Sequence, residues 1–331
     1  MEFTAGGRLE VRITPSDVGR RVSVRRLDDS GRGTFADTVG VLVSWSDGVL
    51  SITRRTGETV RVAERSLVAG KVVPAAPARR RGPAADFAEL ARVRARAWWP
   101  AESEPLGQWT LRAAPASALR AGSALPLGDP GTPLDDALAR VRAWYGERGL
   151  PARVEAATGA EGTQEELCAA LEERGWWREA SAEVRIGGLA AVADRADADR
   201  ADGTGRAALS RTPGAAWHRR GWAAGAGLHE TPAPGTSVWF AALTGGDGEP
   251  VAVGRCVVDG RWAGFTGVAV DPAHRRRGLA SAVAAALAAR ALEEGASAAW
   301  AQVPAGGGAA RGLCDGTGLA VHHHCHHFRA A

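Results

Sequence analysis

The stretch Phe265-Thr266-Gly267-Val268-Ala269-Val270-Asp271-Pro272, continued by Arg275-Arg276-Arg277-Gly278-Leu279-Ala280, decides the fold. Its first six residues are rich in β-formers. Asp271-Pro272 ends the run, because proline has no N–H for a ladder and constrains the residue before it. From Gly278 onward, Leu279, Val283 and Leu287 recur at four-residue spacing through Ala284, Ala285 and Ala286, which predicts an amphipathic helix. The order is strand, basic loop, helix. The first-turn N–H groups of a helix point out of its end, where the peptide dipoles place partial positive charge, so a diphosphate can dock there on backbone. A side chain at position 278 would stand between phosphate and amides, while Arg275, Arg276 and Arg277 add charge-assisted donors.

Working outward, Ala298 to Val303 predicts the next strand, Ala309 to Cys314 a short helix, and Ala320 to Phe328 a last strand. Upstream, the carboxyl-half copy begins with Ala208 to Thr212, a helix is expected around Ala215 to Trp222, and Ser237 to Leu243, Val251 to Val258 and Gly260 to Val270 predict strands. Arg255 and Trp262 are expected to line the sheet near a cleft, where either would meet a substrate carboxylate or lie on a half-exposed surface. An Arg/Gln-x-x-Gly-x-Gly/Ala loop after a strand, set in this order of elements, resembles the coenzyme A loop of the GNAT family of N-acetyltransferases. The resemblance implies a parallel strand pair splayed open for the pantetheine arm. It implies that the backbone of Val268, Ala269 and Val270 holds that arm, and that Arg275, Arg276, Arg277, Gly278, Leu279, Ala280 and Ser281 hold the diphosphate. Acetyl-CoA is then the acyl donor and a small-molecule amine the acceptor. Gly254-Arg255, Trp262-Ala263-Gly264, Gln302-Val303 and Val321-His322-His323 extend the likeness to an actinobacterial group, some of whose members are regarded as N-acetylglutamate synthases. The narrower acceptor implied is an amino acid, the α-amino group of glutamate.

The catalytic residues stay unassigned. Where the family carries asparagine, tyrosine and an aromatic, this chain has Gly307, Cys314 and Leu319, and Cys325 stands where its last strand often has tyrosine. The only tyrosine, Tyr145, lies far upstream, and no glutamate lies on Arg261 to Val270. Cys314 as a weak acid and His322 or His324 as a proton shuttle are the candidates. In a regular strand His322, His324 and His326 share one face and could converge on zinc, or form a structural edge; no metal is expected to be required.

Residues 1–75 hold five short strand patterns with turns at Ser46-Asp47-Gly48 and Arg55-Thr56-Gly57, which suggests a small all-β, SH3-like barrel. Residues 76–86 read as a linker. Residues 87–190 repeat the element order of the carboxyl half, with strands at Trp109 to Ala113, Ala121 to Pro126 and Ala152 to Ala156, helices at Pro133 to Tyr145 and Gln164 to Arg174, and a strand ending at Ile186. Their loop, Leu127-Gly128-Asp129-Pro130-Gly131, offers a carboxylate instead of arginines and repels an anion. A mobile linker or frayed helix is expected at 191–205 and the cofactor-binding copy at 206–331. The expected fold class is therefore α/β (α+β), with tandem GNAT-like mixed-sheet domains, the first degenerate, behind a small barrel.

Composition agrees with a globular chain: 331 residues, 45% hydrophobic, net charge +4. Four scattered cysteines lack Cys-x-x-Cys spacing, so reduced thiols and a cytoplasmic location are expected. No membrane segment is evident and the charge is too diffuse for nucleic acid; a monomer or homodimer is expected. The alternatives are a non-catalytic acyl-CoA-binding sensor or scaffold, and an adaptor binding RNA or peptide through the barrel.

Overall fold

The computed structural model describes residues 10–27, 35–73, 83–115, 118–197, 207–214, 233–246 and 248–331. The chain begins with β1 (Arg21–Leu27), β2 (Phe35–Ser46), β3 (Val49–Arg54), β4 (Thr59–Ala63) and β5 (Leu67–Val72). There follow α1 (Phe87–Ala97), β6 (Glu102–Leu106), β7 (Trp109–Ala113), β8 (Leu125–Pro126), α2 (Leu134–Gly146), β9 (Arg153–Thr158), α3 (Glu165–Glu173) and β10 (Trp177–Gly188). The carboxyl half has α4 (Leu189–Ala193), β11 (Ala208–Ser210), β12 (Ser237–Thr244), β13 (Pro250–Asp259), β14 (Trp262–Val270), α5 (Leu279–Glu293), β15 (Ala298–Pro304), α6 (Gly308–Gly316) and β16 (Ala320–Arg329). The expected helix at 215–222 and most of the expected linkers lie outside the described residues.

Two compact units result, one of residues up to 78 with Ala156–Trp176, the other of 79–155 with Trp177–Ala331. In the first, the five amino-terminal strands form an antiparallel sheet in the order β4-β3-β2-β1-β5. Asp47 and Gly48 both take positive φ, 51° and 72°, as a two-residue hairpin with the strands' own twist requires. Alternate residues Val22, Val24, Leu42, Leu50, Ile52 and Val62 turn inward to one apolar cluster.

The second unit is built on an eight-stranded sheet in the order β11-β12-β13-β14-β15-β10-β16-β9. β14 and β15 are parallel, and the long α5 forms the crossover between them. Each half of the chain lends its last strand to the other: β10 pairs with β15, and β16 lies between β10 and β9. The two halves therefore share one set of backbone hydrogen bonds. On one face α5 buries Leu279, Val283, Leu287 and Ala291 against Cys256, Ala263 and Ala299. On the other, Leu90, Ala97 and Trp98 pack with Val253, Val257, Trp262 and Trp300.

Two glycines let these layers close. A Cβ on Gly254 would meet Val283 Cγ1 of α5 at 2.6 Å, and one on Gly264 would meet Trp300 Cζ2 at 2.3 Å. Trp300 is fully buried and has no room to yield. Gly264→Ala is accordingly expected to cost about 1–3 kcal/mol in chemical denaturation, and a midpoint unchanged from wild type would show that the ring can move aside.

Two expectations are corrected. A strand over 121–126 shrinks to Leu125–Pro126, because residues 118–122 form a turn closed by Gly122 N–H to Ala118 O and the Ser123 carbonyl is taken by Arg112 Nε at 2.8 Å. The segment after 190 starts as ordered helix: Leu189 and Val192 of α4 are buried in the α5 cluster, and a 3-10 turn follows at Asp194–Asp197.

Candidate active site

The β14–β15 ladder runs from Trp262↔Ala298 to Phe265↔Ala301 and then stops. Beyond it, β14 continues to Val270 on its β13 side only, leaving one backbone edge of Gly267, Val268, Ala269 and Val270 unpaired and half-buried. A bulge opposite Gly254 turns the strand at this point. Its extra residue falls at Gly267, whose φ of 60° suits glycine. The sequence thus encodes the opening locally, through a glycine that bends one strand away from its parallel neighbour.

Asp271 then stops β14, its carboxylate accepting from Ala273 N–H at 2.8 Å to start the 3-10 turn Pro272–His274. Arg276 takes a φ of 64° and Gly278 one of 74°, so the basic loop coils over the start of α5. The first intrahelical bond is Ala282 N–H to Gly278 O, and no side chain caps the helix. The Leu279, Ala280 and Ser281 amides therefore have no intrahelical acceptor, and Gly278 puts no Cβ in front of them. Arg275, Arg276 and Arg277 are exposed beside them, and Arg275 Nε reaches back toward Val270 O at 3.5 Å. One turn of chain thus joins the residues singled out for diphosphate and pantetheine.

The corresponding loop of the first half is closed on itself. The Asp129 carboxylate accepts from Gly131 N–H at 2.7 Å, Gln108 Oε1 accepts from Asp129 N–H at 2.8 Å, and a Cβ on Gly107 would strike Pro130 at 2.3 Å. Its own carboxylate takes one of the loop's amides and opposes a second anion there. Asp129→Arg is therefore expected to leave acetyl-CoA stoichiometry at one per chain by calorimetry; two sites would mean that charge alone had closed this loop.

The opening has two lips. Thr266 and Gln302 are the first residues past the last ladder pair, one on each strand. Arg255 Nη1 donates to Thr266 Oγ1 at 3.3 Å and Nη2 to Ala97 O at 3.1 Å. Arg94 Nη2 donates to Gln302 Oε1 at 3.3 Å and to Glu155 Oε1 at 2.6 Å, and Gln302 Nε2 donates to Cys325 Sγ at 2.8 Å. Arg112 takes the other Glu155 oxygen at 3.0 Å. Burial acts to raise the Glu155 pKa, but Arg94, His327 and Arg112 hold it far below the usual carboxylate range. Sequence reading missed Arg94 and Glu155, and marked Gln302 only as part of the family likeness. Arg255 and Trp262, expected near the cleft, are both buried, and Trp262 Nε1 is bound by Glu89 at 2.9 Å.

The proton-transfer candidates fall in different places. Cys314 is buried on α6 in the cluster that holds Phe265 and Val303, and burial raises its thiol pKa. His322 and His324 are on β16, which β10 separates from β15, so they lie about two strand spacings, roughly 9–10 Å, from that lip. Tyr145 donates to Arg112 O at 2.8 Å, with burial pushing its phenol up to about 12.

A histidine face for zinc does not form as the alternation suggests. A register shift between Val184 and Arg185 leaves His322 outside the ladder, turned toward Ala85 O at 3.1 Å, while His326 Nδ1 meets Ser181 Oγ at 2.8 Å. Glu155, Cys325 and His327 do place ligand atoms within 4.8 Å of one another. Two guanidiniums already occupy that carboxylate, and their charge opposes a cation.

The buried histidines have a consequence for pH. Ser123 Oγ donates to Leu119 O, so His327 Nδ1 must carry the hydrogen in its 2.9 Å contact with that oxygen. Burial pulls His326 down to about 3 and His327 to about 4. Unfolded histidine titrates near roughly 6.5, so below that pH the unfolded chain binds more protons than the folded one. Their contribution is complete above about pH 6.5 and is lost as pH falls toward 4, at about 1 kcal/mol per histidine per pH unit. Thermal unfolding should show a midpoint dropping steadily from pH 7 to 5; a flat midpoint would contradict neutral burial.

A family model described as "Probable histone acetyltransferase Rv0428c C-terminal" matches residues 84–328. No curated protein matches the sequence. Among solved structures, a GCN5-related N-acetyltransferase from Kribbella flavida is 19% identical with a TM-score of 0.54, covering 73% of this chain and 95% of its own. A tandem GNAT protein from the clavulanic acid biosynthesis pathway is 12% identical with a TM-score of 0.49, covering 76% and 90%. The chain belongs to the family of the Rv0428c carboxyl-terminal acetyltransferase region and has the fold of a GCN5-related N-acetyltransferase.

Proposed function

We propose that the protein transfers the acetyl group of acetyl-CoA to the amine of a small molecule, with an amino acid such as glutamate as the acceptor class suggested by the sequence resemblance. The diphosphate rests on the Leu279, Ala280 and Ser281 amides with Arg275, Arg276 and Arg277 around it, and the pantetheine continues β14 along the open edge of Val268, Ala269 and Val270. The observation that carries this reading is the conjunction of an uncapped helix start at Gly278 with a strand edge left unpaired immediately before it. The first half, its loop sealed by Asp129, holds no cofactor and serves as wall to the acceptor cleft.

Once bound, acetyl-CoA brings a thioester carbonyl to the opening between Thr266 and Gln302, and a neutral amine attacks it. No carboxylate of this chain lies on β14, and by the sequence resemblance Cys314 stands at the position of the family's usual acid. Proximity and a water-relayed proton supply the transfer. A second reading follows from the family's description, in which the acceptor is a lysine of a histone. Thiol release from acetyl-CoA with a panel of amino acids and a histone-tail peptide tests both. Turnover with neither, alongside tight acetyl-CoA binding, would instead support a sensor.

A further inference from the structure

Each lip of the opening is backed by a buried arginine, but only one of the two has a counter-ion. Arg94 behind Gln302 is neutralised by Glu155. Arg255 behind Thr266 is 3% exposed and bonds only neutral oxygens, and among the described residues no carboxylate pairs with it. Its guanidinium carbon stands 5.6 Å from the Trp98 ring centroid, and that of Arg120 stands 4.9 Å from the same ring. Arg120 is likewise without a carboxylate among the described residues. Among the described residues, four arginines, 94, 112, 120 and 255, thus gather on this side of the sheet around one buried carboxylate, Glu155. Burying a guanidinium without an anion is costly, and burial pulls Arg255 down to about 10. Packing alone would be served better by an apolar residue.

The geometry points to an anion site: we propose that Arg255, beside Thr266 and Trp98, receives a carboxylate of the acceptor and so aims its amine at the strand opening. The inference rests on the acetyl-transfer reading and narrows it to small acceptors carrying a carboxylate. A lysine within a basic histone tail would bring further positive charge to a site that already has an excess of it. Arginine suits the task because its planar fork donates two parallel hydrogen bonds to a carboxylate while its remaining N–H groups keep their hold on Thr266 and Ala97.

The experiment compares thiol release with alanine against alaninamide, glutamate against isoglutamine, and a histone-tail lysine peptide, in wild type and in Arg255→Gln and Arg255→Lys. In the wild type the carboxylate of each pair should lead its carboxamide in kcat/KM by about 100-fold. In Arg255→Gln that preference should collapse to within about 3-fold, with acetyl-CoA affinity unchanged and the thermal midpoint equal to or above wild type. Arg255→Lys should keep part of the preference. Equal use of carboxylate and carboxamide by the wild type, preference for the lysine peptide, or an equal loss for both members of a pair in Arg255→Gln would overturn the proposal. Calorimetry of glutamate with the CoA-saturated protein separates the two readings. Glutamate binding lost in Arg255→Gln supports the anion site even without turnover, whereas turnover without carboxylate preference removes the site and leaves acetyl transfer standing.

Discussion

Gly278→Asp should abolish measurable acetyl-CoA binding while leaving the protein as stable as wild type. The substituted carboxylate would stand at the uncapped start of α5, within about 5 Å of a bound diphosphate, where like charges in an effective dielectric near 20 repel by about 3 kcal/mol. That alone is a loss of about 100-fold in affinity, and the lost amide contacts add to it. Aspartate tolerates positive φ better than most residues and caps a helix well, so folding need not suffer at φ 74°. Gly278→Asn separates the causes, since it has the same shape without the charge and should lose only about 10-fold. Calorimetric affinity unchanged in Gly278→Asp would remove the diphosphate from this helix end.

Glu155→Gln is expected to have the largest effect on stability. Glu155 accepts from Arg94 and Arg112, all three side chains are buried, and no other carboxylate joins them among the described residues. Removing the anion leaves two guanidiniums facing each other in a low dielectric, which costs about 3–5 kcal/mol. Arg94 also holds Gln302 at the lip, so the variant should bind acetyl-CoA less well at temperatures where it remains folded. Urea denaturation measures the first effect. A midpoint within error of wild type would mean that solvent reaches the cluster and the ion pairs contribute little.

What could be read in the sequence was whatever is local. β14, the Asp271-Pro272 stop, the Gly278 junction and α5 all depend on neighbouring residues, and each lies within a residue or two of its expected bounds. α1 was missed although its signal is present: Asp86 accepts from Glu89 N–H at 2.6 Å, the Asp-x-x-Glu start of a helix that continues through Leu90 and Ala97. The exchange of β10 and β16 between halves was not legible, since strand partners so far apart leave no local pattern. Nor was the charge network, because Arg94 and Glu155 are 61 residues apart and Arg94 and Gln302 are 208 apart. His322 shows the same limit at short range: alternation assigns it a face, and one bulge reverses the assignment.

The central claim is that acetyl-CoA lies along the open edge of β14 and over the start of α5. Residue-resolved hydrogen exchange with and without acetyl-CoA tests it most directly. The account predicts slowed exchange at the amides of Leu279, Ala280 and Ser281 and on the unpaired edge of Gly267–Val270, with none at Asp129–Leu134. Protection confined to the Asp129 loop, or none at β14 and α5 under saturating acetyl-CoA, would contradict it.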